Sequence, residues 1–298
     1  MKYYLFAFRP RQWTKNLIVF AAPFFNFEFR SEIWFSASYA FIIFCMISSS
    51  VYLINDSIDI EVDKKHPEKK FRPIASGNVS ISTARTLSIS LVFLSVVLSS
   101  QISSLLTLII LLYFFFQIIY CLKLKNQPIL DIFCIASGFL LRGIAGLVAA
   151  FLPISPWFLI TIGLSALFLV IEKRKAELRL AIDRKLFTRK VLERYSLPLL
   201  LRLESCVSTS SFVTYSLWAS GPTLGGAKSP WMMITIPFVL FGIFRYQFIS
   251  DPEEANRLKV RKPFINCEKP EEILLSDLGI RITILGWILT TLIIGLVT

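Results

Sequence analysis

Histidine and paired cysteines are nearly missing from this chain of 298 residues. His66 is its single histidine, and its five cysteines are odd in number and form no C-x-x-C pair. These absences argue against the common zinc sites, a disulfide framework and catalysis by a histidine paired with a nucleophile. The chemistry is therefore expected to depend on carboxylate, ammonium and guanidinium groups.

Acidic residues are also scarce, with 20 Asp and Glu against 32 Lys and Arg, for a net charge of +12. The basic residues are spread over loops and form no patch interleaved with aromatic residues, so we expect no nucleic acid as a partner. Apolar residues are abundant instead: 55% of the chain is hydrophobic and its mean hydropathy is +0.64. This composition excludes an ordinary soluble domain and indicates an integral membrane protein with membrane lipids as partners.

Successive apolar runs predict an all-α, polytopic membrane protein with nine transmembrane helices. No linker or low-complexity tract interrupts the chain, so residues 1–298 are expected to form a single transmembrane domain. The sequence is also compatible with a homo-oligomer. The runs lie at residues 13–29, 33–54, 84–103, 105–122, 129–151, 157–171, 197–220, 231–248 and 278–297.

The basic residues predict the orientation of these helices, because cytoplasmic loops retain Lys and Arg. With the N-terminus inside, 29 of the 32 Lys and Arg fall in inner segments. Arg30 and Lys228 fall in outer loops, and Arg142 lies within an apolar run. The pattern therefore predicts a cytoplasmic N-terminus, an exterior C-terminus and a functional site on the cytoplasmic face of the cell's inner or plasma membrane.

A stripe of carboxylates follows the second apolar run. Asp56, Asp59 and Asp63 are three and four residues apart, so they share one face if the helix continues through them. Unpaired acids beside a bilayer repel one another, and a hard divalent cation such as Mg²⁺ is their natural counterion. The cluster of basic residues at 64–72 suits anions. Together they predict a site for a metal-bound diphosphate, although the alternative is an ordinary charged loop beside the membrane.

Three further features lie on the inner face. Lys15 and Asn16 sit one turn inside the first apolar run, where an ammonium needs an anion. Asp131 and Arg142 are eleven residues apart, on roughly the same side of a helix, and are expected either to pair or to leave Arg142 for a phosphate. The basic run at 173–175 suits either phosphate or anchoring at the membrane.

These residues resemble motifs of the UbiA superfamily of intramembrane prenyltransferases. The pattern N-D-x-x-D-x-x-x-D matches Asn55, Asp56, Asp59 and Asp63 without a gap. The decaprenyl-phosphate phosphoribosyltransferase branch is indicated by matches at 9–16, 66–77, 120–142 and 173–178. The resemblance covers nearly the whole chain and implies a UbiA-like helical bundle.

One departure separates this chain from the aromatic prenyltransferases of the superfamily. Where they carry a second D-x-x-x-D motif, this chain has Lys173, Arg174 and Lys175, with only Glu177 as an acid. Replacing acids by cations suits a site that also holds other phosphate groups. Cys121 and Lys175 depart from the branch pattern, which usually has Ser and Tyr at these positions.

The resemblance implies Mg²⁺-dependent transfer of a 5-phosphoribosyl group from phosphoribosyl diphosphate to a polyprenyl phosphate. It implies Asp56, Asp59 and Asp63 as catalytic residues that hold the metal together with Asn55. The implied substrate-binding residues, mostly basic, are Arg11, Lys15, Asn16, Lys69, Arg72, Tyr120, Lys123, Asp131, Arg142, Lys173, Arg174 and Glu177. Two alternatives stay open: prenyl transfer from a polyprenyl diphosphate to an aromatic or other acceptor, and transport. Transport fits less well because the ionisable residues crowd one face.

Overall fold

The computed structural model describes residues 2–65, 69–184, 190–251 and 276–298, and within these ranges it is helical without strands. Short 3₁₀ segments connect several of the helices. The α-helices are α1 (Lys2–Ala7), α2 (Ala21–Phe25), α3 (Ser31–Ile58), α4 (Ile60–Lys65), α5 (Ile81–Ser100), α6 (Ser104–Leu122), α7 (Leu130–Ala149), α8 (Pro156–Arg184), α9 (Leu197–Ala219), α10 (Ile236–Ser250) and α11 (Leu278–Val297).

Seven helical segments of the described residues are long and apolar enough to cross a membrane. They coincide with seven of the nine predicted runs, which confirms an all-helical membrane protein. The other two predicted runs, 13–29 and 197–220, have a different character. The second of them is α9, a helix of 23 residues whose many Ser and Thr, with Arg202 and Glu204, lower its hydropathy. The count of nine spans and the direction of the N-terminus stay predictions.

The first predicted run is not an α-helix over most of its length. Pro10–Phe20 forms an eleven-residue 3₁₀ helix, with the proline at its first turn, and α2 follows directly. Runs of 3₁₀ helix this long are uncommon, because their hydrogen-bond geometry is poorer than that of an α-helix. The segment packs against α3. It also meets Gly146 so closely that a Cβ there would lie 2.1 Å from the carbonyl oxygen of Val19.

The contacts within the chain divide it into two compact units. Unit 1 comprises Met1–Phe24, Glu28–Lys125 and Ser137–Pro153. Its core forms where α3 packs against α5, α6 and the 3₁₀ segment, with Ile43, Phe44 and Ile47 fully buried. This unit contains the complete aspartate stripe.

Unit 2 comprises Phe25–Phe27, Asn126–Ala136 and Ile154–Thr298. Its main packing is between α8 and α9, where two hydroxyl side chains of α9 find partners on α8. Ser211 and Ser165 approach to 2.9 Å, and Thr161 donates to Thr214 at 3.2 Å. Hydrogen bonds of this kind hold helices together where water is absent, so the polar composition of α9 reflects its partner helix.

Candidate active site

The aspartate stripe lies where α3 ends and α4 begins. Asp59 occupies the bend between them (φ −88°, ψ 8°), and its N–H donates to the carbonyl of Asn55 at 2.9 Å. The N–H of Asp63 then donates to the carbonyl of Asp59 at 2.8 Å. The helical pattern of hydrogen bonds therefore continues across the bend, and Asp56 and Asp63 lie two turns apart on one side.

Asp56 and Asp63 are brought together by one arginine. Both carboxylates are buried, with exposures of 3% and 2%. The Nη1 atom of Arg72 lies 3.2 Å from Asp56 and 2.5 Å from Asp63, and Arg9 forms a second salt bridge with Asp56. The two acids thus share the guanidinium of Arg72, because buried carboxylates need compensating charge.

Asp59 has a different partner. Its carboxylate is a quarter exposed and accepts a hydrogen bond from the ammonium of Lys125 at 2.5 Å. Three cations, Arg9, Arg72 and Lys125, thus neutralise three carboxylates within unit 1. Asp56 and Asp63 therefore share one face, as predicted. Asp59 lies at the bend and does not share it.

The donor chemistry of the stripe fits Mg²⁺ through two carboxylates. Asp56 and Asp63 contact the same guanidinium nitrogen, so their oxygens lie close to one another. Over the described ranges of the chain, no three His, Cys, Asp or Glu side chains form a group that could hold a metal ion. Protein sites for Mg²⁺ commonly use one or two carboxylates, with waters and substrate phosphates as the remaining ligands. The pair therefore suits a metal that arrives with a phosphorylated substrate.

A cavity of about 500 Å³ opens beside Asp56, within unit 1. Arg9 and Arg72 contribute the charged part of its lining, together with Lys2 from α1. Its volume lies within the range of about 300–1,000 Å³ that small-molecule sites occupy. A cavity lined by a buried acid and several cations is suited to a phosphorylated ligand with a bound metal.

Arg9 is the clearest functional candidate that the sequence prediction missed, since Arg11 was named in its place. Arg11 is exposed, whereas Arg9 reaches Asp56 and lies over the ring of Tyr52 at 4.9 Å. Its backbone is left-handed (φ 53°, ψ 59°), which is costly for a residue other than glycine and is often found at functional sites. Lys125 was missed in the same way in favour of Lys123, which is exposed.

Arg142 is buried within unit 1 among neutral groups. Its guanidinium donates to Asn16 at 2.7 Å, to the carbonyl of Gly138 at 2.7 Å and to the hydroxyl of Tyr113 at 2.8 Å. The ring of Phe44 lies 5.9 Å away, within range of a cation–π contact. Two predicted substrate ligands, Asn16 and Arg142, are therefore bound to each other.

Asp131 and Arg174 pair within unit 2. Arg174 is fully buried and donates to Asp131 at 2.7 Å and to Glu177 at 2.5 Å. Of the two alternatives for Asp131 and Arg142, the structure therefore excludes their pairing with each other. The hydroxyl of Tyr195 donates to Asp131 at 2.7 Å and accepts from the N–H of Ile129 at 2.6 Å. Burial raises the pKa of Tyr195, which keeps this hydroxyl a donor. Sequence spacing gave no signal for Tyr195, which lies 64 residues from Asp131.

Lys175 has a buried environment of its own in unit 2. Its ammonium lies 2.7 Å from Glu172 and also contacts Glu204, which accepts from Gln247 at 3.0 Å. Two carboxylates thus surround the lysine that departs from the branch pattern. The cation is compensated by acids from the same helix and from α9, which explains how it is tolerated beside apolar residues.

The remaining predicted site residues differ in how far they are buried. Five of them are half-buried: Lys15, Asn55, Lys69, Tyr120 and Lys173. Two others, Arg11 and Lys123, are exposed. His66 lies outside the described residues.

Known proteins of one family match nearly the whole of this chain. A profile described as the UbiA prenyltransferase family matches residues 17–267. A protein of Mycolicibacterium smegmatis named decaprenyl-phosphate phosphoribosyltransferase is 39% identical over 296 residues, covering 95% of this chain and 89% of its own length. A protein of the same name from Corynebacterium glutamicum is 33% identical, covering 95% of this chain and 83% of its own.

Solved structures with a similar fold are more distant in sequence. A UbiA homologue from Archaeoglobus fulgidus, solved with GPP and Mg²⁺, superposes with a TM-score of 0.72 at 18% identity. The alignment covers 97% of this chain and 98% of the homologue. At this identity the likeness establishes the fold alone.

Proposed function

This chain belongs to the UbiA prenyltransferase family, and we propose that it transfers 5-phosphoribose from phosphoribosyl diphosphate to a polyprenyl phosphate. The observation that carries the proposal is the group of Arg9, Arg72 and Lys125 around the aspartate stripe. The names and coverage of the M. smegmatis and C. glutamicum relatives support this donor and acceptor.

In the proposed reaction, an oxygen of the lipid phosphate forms a bond to C1 of the ribose. The C1–O bond to diphosphate breaks, and diphosphate leaves with the electron pair. The lipid phosphate is already an anion, so the step needs no strong general base. Positioning and stabilisation of charge then account for the rate, as expected for a chain with one histidine.

Asp56 and Asp63 would hold Mg²⁺, and Asp59 and Asn55 would become further oxygen ligands once a substrate phosphate draws Lys125 away from Asp59. Bound there, the ion would offset the negative charge that develops on the leaving diphosphate. Arg9, Arg72 and Lys125 pair with the carboxylates of the stripe. They are therefore placed to contact the phosphate oxygens of a phosphoribosyl diphosphate whose metal is held there. Each cation would then exchange a carboxylate partner for a phosphate.

We infer that nine segments span the membrane, because the two segments in question are as long as the hydrocarbon core is thick. The 3₁₀ helix rises about 2.0 Å per residue and the α-helix about 1.5 Å. Pro10–Phe20 and α2 together therefore extend about 30 Å, the thickness of the hydrocarbon core. The 23 residues of α9 reach a similar length. With both segments crossing, the basic residues gather on one face, which we assign to the cytoplasm as the side of the active site.

Labelled donors test the proposed reaction. Membranes that contain the protein are incubated with Mg²⁺ and either phosphoribosyl diphosphate labelled in the ribose or labelled polyprenyl diphosphate. We expect label to enter the lipid fraction from the first donor, and only when a polyprenyl phosphate is supplied. Transfer of the prenyl label to an aromatic acceptor, with none from the ribosyl donor, would overturn the proposal.

A further inference from the structure

The lining of the cavity beside Asp56 also includes apolar side chains that no motif of the sequence predicts. Three aromatic residues line it: Tyr3 and Phe6 from α1, and Phe71 from the 3₁₀ turn Lys69–Phe71. Their exposures are 52%, 55% and 74%. The rings thus offer open apolar surface next to the charged part of the cavity.

The charged part of the cavity favours an anion. Lys2, Arg9 and Arg72 line it together with a single carboxylate, that of Asp56. Basic side chains also approach the rings: the ammonium of Lys2 lies 6.0 Å from the centroid of Phe6. Arg9 and Arg72 are paired with Asp56 and Asp63, so Lys2 supplies the positive excess that a ligand entering the cavity would meet.

A ligand with an anionic head group on an apolar chain matches both the charged and the aromatic residues of this lining. A sugar phosphate is polar throughout and gains little from three exposed rings, whereas the first isoprene units of a prenyl chain bury apolar surface against them. A volume of about 500 Å³ accommodates a head group and the start of a chain. The rest of the chain would extend into lipid, next to the exposed apolar residues of α1.

We propose that this cavity binds the acceptor of the reaction, a polyprenyl phosphate. Lys2 contacts its phosphate, and Tyr3, Phe6 and Phe71 contact its first isoprene units. The inference rests on the proposed function and adds to it the residues that select a lipid acceptor. It places the acceptor phosphate beside Asp56, where the oxygen that attacks the ribose is needed.

Kinetics of purified protein in lipid nanodiscs test the assignment. In Phe71→Ser and Lys2→Gln we expect the KM for polyprenyl phosphate to rise roughly five- to tenfold, as the loss of one contact of about 1–1.4 kcal/mol predicts. The KM for phosphoribosyl diphosphate and kcat at saturating acceptor should stay within about twofold, because the lost contact binds ground state and transition state alike.

Phe35→Ser is the matched control. Phe35 is 74% exposed like Phe71, belongs to unit 1 and does not line the cavity. Its kinetics should equal those of the unsubstituted protein. An unchanged acceptor KM in Phe71→Ser and Lys2→Gln would overturn the inference, and so would a rise in the KM for phosphoribosyl diphosphate instead.

Photo-crosslinking separates this inference from the proposed function. A benzophenone-bearing prenyl phosphate should label the unsubstituted protein and should label Phe71→Ser several-fold less, whether or not ribosyl transfer occurs. Excess polyprenyl phosphate should prevent the labelling, and equal phosphatidylglycerol should not. Equal labelling of the two proteins, or displacement by the phospholipid, would overturn the acceptor site. Failure of transfer in the unsubstituted protein would overturn the proposed function alone.

Discussion

At the scale of single residues, the three aspartates of the stripe are not equivalent. Asp56 is buried with two arginines, whereas Asp59 lies at a bend and is paired with Lys125. Both carboxylates nevertheless belong to unit 1, and each is paired with a basic side chain. Loss of the carboxylate of Asp56 or Asp59 should therefore impair the reaction, because the Mg²⁺ that offsets the charge on the leaving diphosphate would be held less well.

Substitution of the stripe is the first prediction. Asp56→Asn and Asp59→Asn should each lower Mg²⁺-dependent turnover by at least about a hundredfold, with expression in membranes intact. Glu61→Gln is the matched control: its side chain is 73% exposed on α4, and a hydrogen bond from Lys64 lowers its pKa. Turnover is measured as ribosyl label entering lipid. Normal turnover in either aspartate variant would exclude the metal assignment.

The cations that pair with the stripe could not be predicted from local sequence. Spacing within one helix predicted the stripe, because Asp56 and Asp63 are neighbours through local geometry. Arg9 and Lys125 reach the stripe from segments 47 and 66 residues away in sequence. Arg9 and Arg11 are the same residue type two positions apart, and so are Lys123 and Lys125. The local sequence therefore gives no sign of which member of each pair reaches an aspartate.

At the scale of helices and segments, the Asn16–Arg142 contact connects the 3₁₀ segment Pro10–Phe20 to α7. The amide nitrogen of Asn16 also donates towards Cys45 and Ser48 on α3. A buried guanidinium with neutral partners depends on each of them, because an unsatisfied charged donor is expensive away from water. These two residues should therefore act mainly on stability.

A double-mutant cycle tests this second prediction. Asn16→Leu should destabilise the protein by about 1–3 kcal/mol, measured as a lower melting temperature in detergent. In the Arg142→Met background the same substitution should cost less, since the guanidinium that it strands is gone. Purely additive effects would contradict the pairing. Unchanged stability with a raised KM for phosphoribosyl diphosphate would assign the pair to substrate binding instead.

The third prediction concerns the start of α11, where Asp277 meets Arg245 of α10 at 2.9 Å. The hydrogen bonds from Arg245 lower the pKa of Asp277. A lowered folded-state pKa stabilises the protein above the usual carboxyl pKa of about 3.9, and this stabilisation is lost as the pH falls through the lowered value.

Asp277→Asn isolates this charge, because an amide oxygen still accepts from the N–H of Ile280 as the cap does now. The variant should melt slightly below the unsubstituted protein at neutral pH, and the two should converge in acid. A difference in melting temperature that persists at low pH would show that the charge pair is not its source.

Element types were predicted better than element details. Apolar runs located seven spans, since a lipid-facing helix must be apolar along its length. The 3₁₀ geometry of Pro10–Phe20 was not predicted, because it depends on packing against α3 and on the absence of a side chain at Gly146. The polar α9 was found by length, although the partners of Ser211 and Thr214 on another helix could not be predicted from its sequence.

At the scale of the whole molecule, the lopsided distribution of basic residues predicts the orientation. An odd number of spans with a cytoplasmic N-terminus places the C-terminus outside. The fourth prediction concerns reporters fused to the C-terminus. Because this end is expected outside the cell membrane, alkaline phosphatase fused there should be active and a green fluorescent protein should not fluoresce. The reverse pattern, with fluorescence and no phosphatase activity, would contradict the nine-span topology.

The most direct measurement is mass spectrometry of the lipid product made by purified protein from phosphoribosyl diphosphate and a polyprenyl phosphate, with released diphosphate counted in parallel. We expect polyprenyl-phosphoryl-5-phosphoribose and one diphosphate per product, formed with Mg²⁺ and lost in Asp56→Asn. A lipid of unchanged mass, with no diphosphate released from the ribosyl donor, would contradict it.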